Sequence, residues 1–380
     1  MNLSFAKPIS QAGTIPAAKW SNPLDGIRAV AALFVLGCHT RVMPGYFGTV
    51  GVWLFFTLSA FLLTQSLFAS IDASHVARAL AFYIRRFFRI FPMLSIYVVI
   101  AGIFVEKDRH FIIHNLLHLR GDGHLWTISQ ELLFYAMVPP LALLVSRLRS
   151  TVGAAGALVV AAWLSGIYMT YDVFSLPANG DRDQFYLAPF LVGMAAAYLL
   201  PCVRQFILSQ RFEKIGANLI ALAIAAVATT ILAIEGAHSL VVDDYLAYGH
   251  VVPLTGLFAL IIVWLAESPP NWLSSIFSFK PLRAVGIVGY SFYLWHWIFL
   301  TYVPNAWPAL LRFVVVGLAT FSTAWASFHL VERPGINCGA WLARRVLGKR
   351  PANPDRATRS VRPMPILEST TRPLERSPQT

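Results

Sequence analysis

Two ionisable side chains stand inside apolar stretches of this sequence, where a charge is costly and by default indicates function. The first is His39, which follows Arg28 by eleven residues, or about 16 Å along a helix. If Arg28 lies at a membrane interface, His39 lies near the middle of the bilayer. An imidazole at that depth is suited to proton transfer, since its ordinary pKa lies near neutrality. The alternative is a neutral histidine that bonds to a neighbouring helix.

The second is Glu131, in the segment HLWTISQELLFY. It follows His124 by seven residues, which places it about 10 Å further along a helix. A buried carboxylate needs a partner, and His39 or an arginine could serve. A histidine–carboxylate pair would fix the tautomer of a general base. We therefore expect Glu131 to share the catalytic site with His39; a structural ion pair or a water-lined position is the alternative.

Three arginines, Arg85, Arg86 and Arg89, are candidates for binding a phosphate group. The planar guanidinium of arginine binds phosphate in a bidentate manner. The segment 75–91 that contains them is interpreted as a basic amphipathic helix at the cytoplasmic interface, because arginines recur in it at helical spacing among aromatic residues. From the residues alone, contact with anionic lipid headgroups is the favoured alternative.

Other reactive residue types have simpler explanations. His296 stands between two tryptophans in an apolar stretch, where packing or hydrogen bonding is the better interpretation. Glu332 is followed by Arg333, so a helix-terminal ion pair accounts for it. Cys38 precedes His39, but adjacent helical residues point in different directions. No metal site is predicted, since no carboxylate or cysteine is spaced to complete the series His110, His114 and His118.

The composition indicates what kind of molecule holds these residues in place. Of 380 residues, 57% are hydrophobic and only 13% are charged, against about 25% charged in ordinary soluble domains. This excludes a disordered chain and argues against a soluble enzyme. The net charge of +12 does not indicate a nucleic-acid partner, because more than half of it lies in residues 333–380. Three cysteines are too few for a disulfide framework.

The apolar stretches predict an all-α polytopic membrane protein with about ten transmembrane helices, since each approaches the length of about 20 residues that crosses a bilayer. If the N-terminus is cytoplasmic, 24 of the 30 lysines and arginines fall on the cytoplasmic side. This asymmetry agrees with the positive-inside rule and places both termini in the cytoplasm. The predicted spans are 29–46, 50–70, 90–106, 125–146, 153–170, 185–201, 216–234, 250–267, 284–303 and 308–331.

Three regions follow from this topology. Residues 1–23 form a cytoplasmic segment that lacks the apolar core of a signal peptide. Residues 24–334 form the transmembrane domain. Residues 335–380 form a basic, proline-rich and largely disordered cytoplasmic tail.

Six motifs occur in one order along the chain. They are LDGIRAVAALFVLGCH, GVWLFFTLSAFLLT, FYIRRFFRIFP, HLWTISQELLFY, GYSFYLWHW and VERP. Together they resemble the acyltransferase 3 family, the integral-membrane acyltransferases that modify bacterial surface and secreted carbohydrates. The resemblance extends from about Leu24 to Pro334. Each motif alone is weak, whereas six in this order are highly specific.

The resemblance implies that acetyl-CoA, or another acyl-CoA, donates its acyl group from the cytoplasm to a carbohydrate hydroxyl on the far side of a bacterial inner membrane. It implies that His39 is the catalytic residue, and we expect it to act as a general base; an acetyl-histidine intermediate is the alternative. Glu131 is expected to orient His39 or the acceptor. The residues expected at the donor are Arg28, Arg85, Arg86 and Arg89, and those expected at the acceptor are His124 and Trp126.

Two positions depart from the family pattern. Trp53 stands where the second-helix motif usually has an acidic residue, and Ala60 where it has glycine. The resemblance also implies the type of member without a C-terminal esterase-like domain. The competing hypotheses are a proton-coupled transporter, in which His39 and Glu131 relay protons, and a polysaccharide-assembly scaffold without chemistry. No inverted repeat in the sequence supports the transporter.

Overall fold

The computed structural model describes residues 21–68, 74–117, 121–145, 147, 186–209, 216–226 and 251–348. Within these ranges every regular element is helical, which confirms the predicted all-α class. Three predictions concern other residues: the span 153–170, the segment 1–20 and the disorder of the chain beyond residue 348 lie outside the described residues.

The described ranges contain thirteen α-helices. In chain order they are α1 (Ser21–His39), α2 (Tyr46–Phe68), α3 (His75–Phe104), α4 (Arg109–Leu116), α5 (Gly123–Val145), α6 (Leu187–Ser209), α7 (Gly216–Ala226), α8 (Val251–Glu267), α9 (Trp272–Phe277), α10 (Lys280–Ile287), α11 (Gly289–Tyr302), α12 (Ala309–Ser327) and α13 (Arg333–Val346).

Four helical stretches within the described ranges are long and apolar enough to cross a membrane, judged by length and composition. They are Tyr46–Leu67, His75–Phe104, Gly123–Val145 and the stretch Ala309–Val346. The pair α10 and α11 forms a fifth candidate, although its axis bends by 80° between them. These apolar helices support a membrane protein, while the count of ten spans and the cytoplasmic termini stay predictions.

Two predicted boundaries differ from the structure. Helix α1 ends at His39 rather than at residue 46, because the chain turns at Arg41, whose φ of 65° is left-handed. The predicted interfacial helix 75–91 is not a separate element. It continues through Pro92 into the following span as one helix of 30 residues, and the side chain of Ser74 caps its first turn.

The arginine-bearing end of α1 is held by two close backbone contacts. A Cβ atom on Gly286 of α10 would lie 1.7 Å from the carbonyl oxygen of Asp25, and one on Gly26 would lie 2.0 Å from the carbonyl oxygen of Phe277. Only glycine fits at such distances. These contacts fix the position of Arg28, which lies one turn further along α1.

The last span continues beyond Glu332. A π-helical turn, Phe328–Glu332, joins α12 to α13. Glu332 is buried and accepts a hydrogen bond of 2.9 Å from Ser291 of α11, rather than pairing with Arg333 as predicted. Helix α13 then packs against α3, where a Cβ atom on Gly335 would lie 2.5 Å from the carbonyl oxygen of Phe88. The region predicted as a tail from residue 335 therefore begins as a helix.

Candidate active site

His39, at the end of α1, bonds to a second histidine. Its Nδ1 atom lies 3.0 Å from Nε2 of His296 on α11. The two ring planes differ by only 2°, and their centroids are 5.2 Å apart. That separation is close to the N···N distance plus the two ring radii, so the imidazoles meet end to end in one plane. Such alignment is the geometry of a good hydrogen bond.

A third histidine and a tryptophan complete this cluster. The ring of His124, at the start of α5, lies nearly parallel to that of Trp297, with centroids 5.2 Å apart. The Trp297 ring also contacts the edge of His39 at 5.5 Å. Tyr293 donates a hydrogen bond of 2.5 Å to the carbonyl oxygen of His124. Within the described residues the buried Nε2 atom of His124 has no hydrogen-bond partner, so His124 has a polar atom to offer a substrate beside His39.

Three of the four predicted donor-binding arginines line one polar cavity. It encloses about 650 Å³, partly open to solvent, and Arg28, Arg86 and Arg89 line it together with Glu131. Arg28 forms an ion pair of 2.6 Å with Asp25. Three guanidinium groups and the carboxylates of Glu131 and Asp25 leave a surplus of one positive charge among these five groups. This surplus fits a polyanionic ligand.

The structure separates two neighbouring arginines of α3. Arg86 lies over the rings of Phe82 and Tyr135, each 5.9 Å from its guanidinium carbon. Its buried Nε atom makes no hydrogen bond to any described residue, as expected of a group that awaits a ligand. Arg85 is half-buried and is not among the residues that line the cavity. The sequence predicted both arginines at the donor. In the structure, only Arg86 of the two lines the cavity.

Glu131 lies in α5, and two hydroxyl groups donate hydrogen bonds to its carboxylate. It is 3% exposed and accepts a bond of 2.8 Å from Ser59 and a shorter one from Tyr135. Neither partner is His39, whose described bond goes to His296. The described hydrogen bonds of Glu131 therefore contain no histidine–carboxylate pair, and Glu131 lines the arginine cavity, nearer to the alternative of an arginine partner.

A second, mainly apolar cavity lies next to the arginine cavity. It encloses about 480 Å³ and shares Arg28, Phe55, Glu131 and Tyr290 with the first cavity. Its lining follows α1 as far as Val35, one turn before His39, and reaches Tyr293, which lies one turn before His296. The two adjacent cavities thus differ in character, one charged and one apolar, and the apolar one ends one helical turn before His39 and His296.

Trp126 packs within an aromatic cluster. Its ring centroid lies 6.3 Å from that of Trp53 and 5.7 Å from that of Tyr186. Trp53 is fully buried, so the position that is usually acidic in the family here supports apolar packing. Ala60 is likewise buried, and a Cβ atom on Gly193 would lie 2.8 Å from its Cβ atom, which shows how closely α6 approaches α2.

Three residues of these contacts were missed by sequence reasoning: Ser59, Tyr135 and Tyr293. Hydroxyl groups occur in many apolar helices and carry no distinctive spacing. His296 did carry a signal, because an ionisable residue inside a span indicates function by default. The two flanking tryptophans favoured packing or hydrogen bonding at the sequence level, and His296 does form a hydrogen bond, whose partner His39 was not predicted.

Comparison with known proteins gives a consistent result. The family model described as "Acyltransferase domain" matches residues 22–332. "Peptidoglycan O-acetyltransferase OatA" of Listeria monocytogenes is 26% identical over 360 residues, covering 83% of this chain and 56% of that protein. "Putative O-acetyltransferase SACOL0978" of Staphylococcus aureus is 24% identical, covering 82% and 56%. "Putative peptidoglycan O-acetyltransferase YrhL" of Bacillus subtilis is also 24% identical, covering 82% and 54%.

The chain spans about half the length of the curated relatives it matches. No solved structure matches it.

Proposed function

Because this chain belongs to the acyltransferase 3 family, we propose that it is a membrane O-acyltransferase. It moves an acetyl group from cytoplasmic acetyl-CoA to a hydroxyl of a carbohydrate on the opposite side of the membrane. The observation that carries this proposal is the pair of adjacent cavities. Arginines line one cavity, the other is mainly apolar, and a histidine cluster lies one helical turn beyond it, which suits a polyanionic donor with an uncharged reactive arm.

The residues that would hold the donor follow from the cavity linings. Arg28, Arg86 and Arg89 would bind its phosphate groups through charge-assisted hydrogen bonds. The apolar cavity along α1 suits the uncharged arm, because its lining is mainly apolar and ends one turn from His39. When bound, the donor supplies an acetyl thioester, which is activated for transfer. The span from Arg28 to His39, about 16 Å, is about half of the hydrocarbon thickness.

His39 acts as the general base in this proposal. Its imidazole accepts the proton of the carbohydrate hydroxyl, which makes the oxygen a stronger nucleophile. His124 lies beside it with an unpartnered Nε2 atom that can bond to an acceptor hydroxyl. Trp126 packs against the rings of Trp53 and Tyr186 and contributes to the shape of the site.

Glu131 has a positioning role at the junction of the two cavities. Its carboxylate holds the hydroxyl groups of Ser59 and Tyr135 and partly offsets the charge of the arginines. This arrangement keeps the arginine side chains facing the cavity before the donor binds. A role for Glu131 in orienting His39 is not supported by its hydrogen bonds.

The topology that fits this function has the arginine cavity at the cytoplasmic face and His39 toward the other side. The distribution of lysine and arginine supports ten spans with both termini in the cytoplasm, as expected in a bacterial inner membrane. Two of the relatives are named for peptidoglycan. Peptidoglycan is therefore the first acceptor to test, before lipopolysaccharide and exopolysaccharides.

Transfer of labelled acetyl groups in membrane vesicles tests the proposal. Inside-out vesicles containing wild type, His39→Ala or Cys38→Ala enclose peptidoglycan fragments and receive acetyl-labelled acetyl-CoA on the outside. Cys38 is the matched control, because it adjoins His39 and its thiol bonds to the carbonyl oxygen of Gly45 at 3.1 Å. We expect label in the glycan with wild type and Cys38→Ala and none with His39→Ala. Equal label with all three would contradict the role of His39.

A further inference from the structure

We propose that His296 is a positioning residue that fixes the tautomer of His39, placing the proton of His39 on Nδ1 and the basic lone pair on Nε2. The inference rests on the proposed function for its catalytic meaning, but the tautomer can be measured without turnover. It assigns a specific role to a histidine of α11 for which the sequence indicated only packing or hydrogen bonding.

The first step concerns the proton on His296. Its Nδ1 atom lies within hydrogen-bond distance of the carbonyl oxygen of Tyr293. A carbonyl oxygen can only accept a hydrogen bond, so the nitrogen must donate, and Nδ1 of His296 carries a proton. The contact joins residues one helical turn apart in α11, so the helix itself holds it in place.

The second step concerns the other nitrogen of His296. The side chain is 1% exposed and lies against the rings of His124 and Trp297. Adding a second proton would bury a charge among these rings, which is unfavourable. His296 is therefore neutral, and its Nε2 atom carries a lone pair and accepts a hydrogen bond.

The third step concerns the position of the proton on His39. Its Nδ1 atom lies 3.0 Å from Nε2 of His296 in an end-to-end, coplanar arrangement. Because His296 accepts at this contact, His39 donates, and its proton is on Nδ1. A neutral imidazole has one proton only. The lone pair of His39 is then on Nε2, which is the nitrogen able to receive a proton from a hydroxyl.

Two hydrogen bonds of Tyr293 hold the histidine pair in place. The phenol of Tyr293 donates to the backbone carbonyl of His124 at 2.5 Å, while its own carbonyl accepts from His296. Hydrogen bonds thus tie α5, α11 and α1 together through Tyr293 and His296 to His39. In other enzymes a carboxylate commonly orients the basic histidine. Here Glu131 bonds elsewhere, and a neutral histidine takes that place.

Two substitutions of His296 separate positioning from packing. His296→Gln keeps an amide that can accept from His39 and donate to Tyr293, whereas His296→Leu fills the space without either bond. Loss of an orienting partner lowers activity about 10- to 100-fold. We expect His296→Leu to lower kcat within that range or beyond with an unchanged KM for acetyl-CoA. His296→Gln should recover most of this loss.

Nitrogen NMR of histidine-labelled protein in lipid measures the tautomer directly. The His39 signals are identified by their loss in His39→Ala. We expect the wild type to show His39 protonated at Nδ1, His296→Gln to keep that form, and His296→Leu to shift it toward the Nε2-protonated form. Should His296→Leu fail to fold, the wild-type and His296→Gln spectra still decide the matter.

Two results would overturn the inference. One is a wild-type His39 that carries its proton on Nε2. The other is a His296→Leu variant with unchanged tautomer and unchanged kcat. Either result leaves the proposed function standing if acetyl transfer still requires His39. Conversely, acetyl transfer that persists in His39→Ala would refute the proposed function, whatever tautomer the spectra show.

Discussion

Replacing Arg86 with glutamine should weaken binding of the acyl-CoA donor. Arg86 lines the polar cavity, and its buried Nε atom has no hydrogen-bond partner among the described residues. A hydrogen bond to a charged group contributes about 1.5–3 kcal/mol, and every 1.4 kcal/mol is a factor of about ten. We therefore expect the KM for acetyl-CoA to rise about 10- to 150-fold. The kcat should change less, because the contact is made equally before and during the reaction.

Arg85→Gln is the matched control for this substitution. The two residues are neighbours on α3 and carry the same charge, but Arg85 is not among the residues that line the cavity. A substitution away from such features changes free energies by about 0.5 kcal/mol or less. Its KM should therefore stay within about twofold to threefold of wild type.

Initial rates over a range of acetyl-CoA concentrations, together with equilibrium binding of labelled CoA, provide the assay. Equal increases in KM for both variants would refute the reasoning, since the donor would then respond to the overall charge of α3 rather than to the cavity. An unchanged KM in Arg86→Gln would refute the assignment of the cavity as the donor site.

Two further predictions concern stability, measured by unfolding in detergent micelles. Gly286→Ala should destabilise the protein by about 1–3 kcal/mol, because the new methyl group would lie 1.7 Å from the carbonyl oxygen of Asp25. Gly256→Ala is the control, because its methyl group would meet no atom within 4 Å. This control should stabilise the protein by about 0.5–1 kcal/mol. Arg204→Met should cost about 3–5 kcal/mol, because it leaves the buried carboxylate of Glu267 without its bidentate partner, and adding Glu267→Leu should recover much of that loss. A stabilising Gly286→Ala, or additive losses in the double variant, would contradict these contacts.

The spacing within one helix was predictable from the sequence. Arg28 and His39 both belong to α1, so eleven residues translate directly into a distance along its axis. Hydropathy likewise predicted helices in the long apolar stretches that the structure describes. Such local patterns depend only on neighbouring residues, which is why they survive in the folded protein.

Contacts between distant helices were not predictable. His39 and His296 are 257 positions apart, and no periodicity within either segment reports their contact. The rotation of a helix about its axis is equally unpredictable from the sequence. Arg85 and Arg86 are adjacent in a basic motif, yet only Arg86 lines the cavity. The partners of Glu131 depend on how α5 packs against α2. The sequence therefore did not reveal that two hydroxyl groups, rather than a histidine, bond to its carboxylate.

The sidedness of acetyl transfer tests the central claim most directly. Vesicles of known orientation would enclose peptidoglycan fragments and receive acetyl-labelled acetyl-CoA outside, where the polyanionic donor remains. We predict labelled fragments in inside-out vesicles with wild type and Cys38→Ala, none with His39→Ala, and none in right-side-out vesicles. Label on enclosed fragments without His39, or label in right-side-out vesicles, would contradict transfer from the arginine cavity to an acceptor at His39.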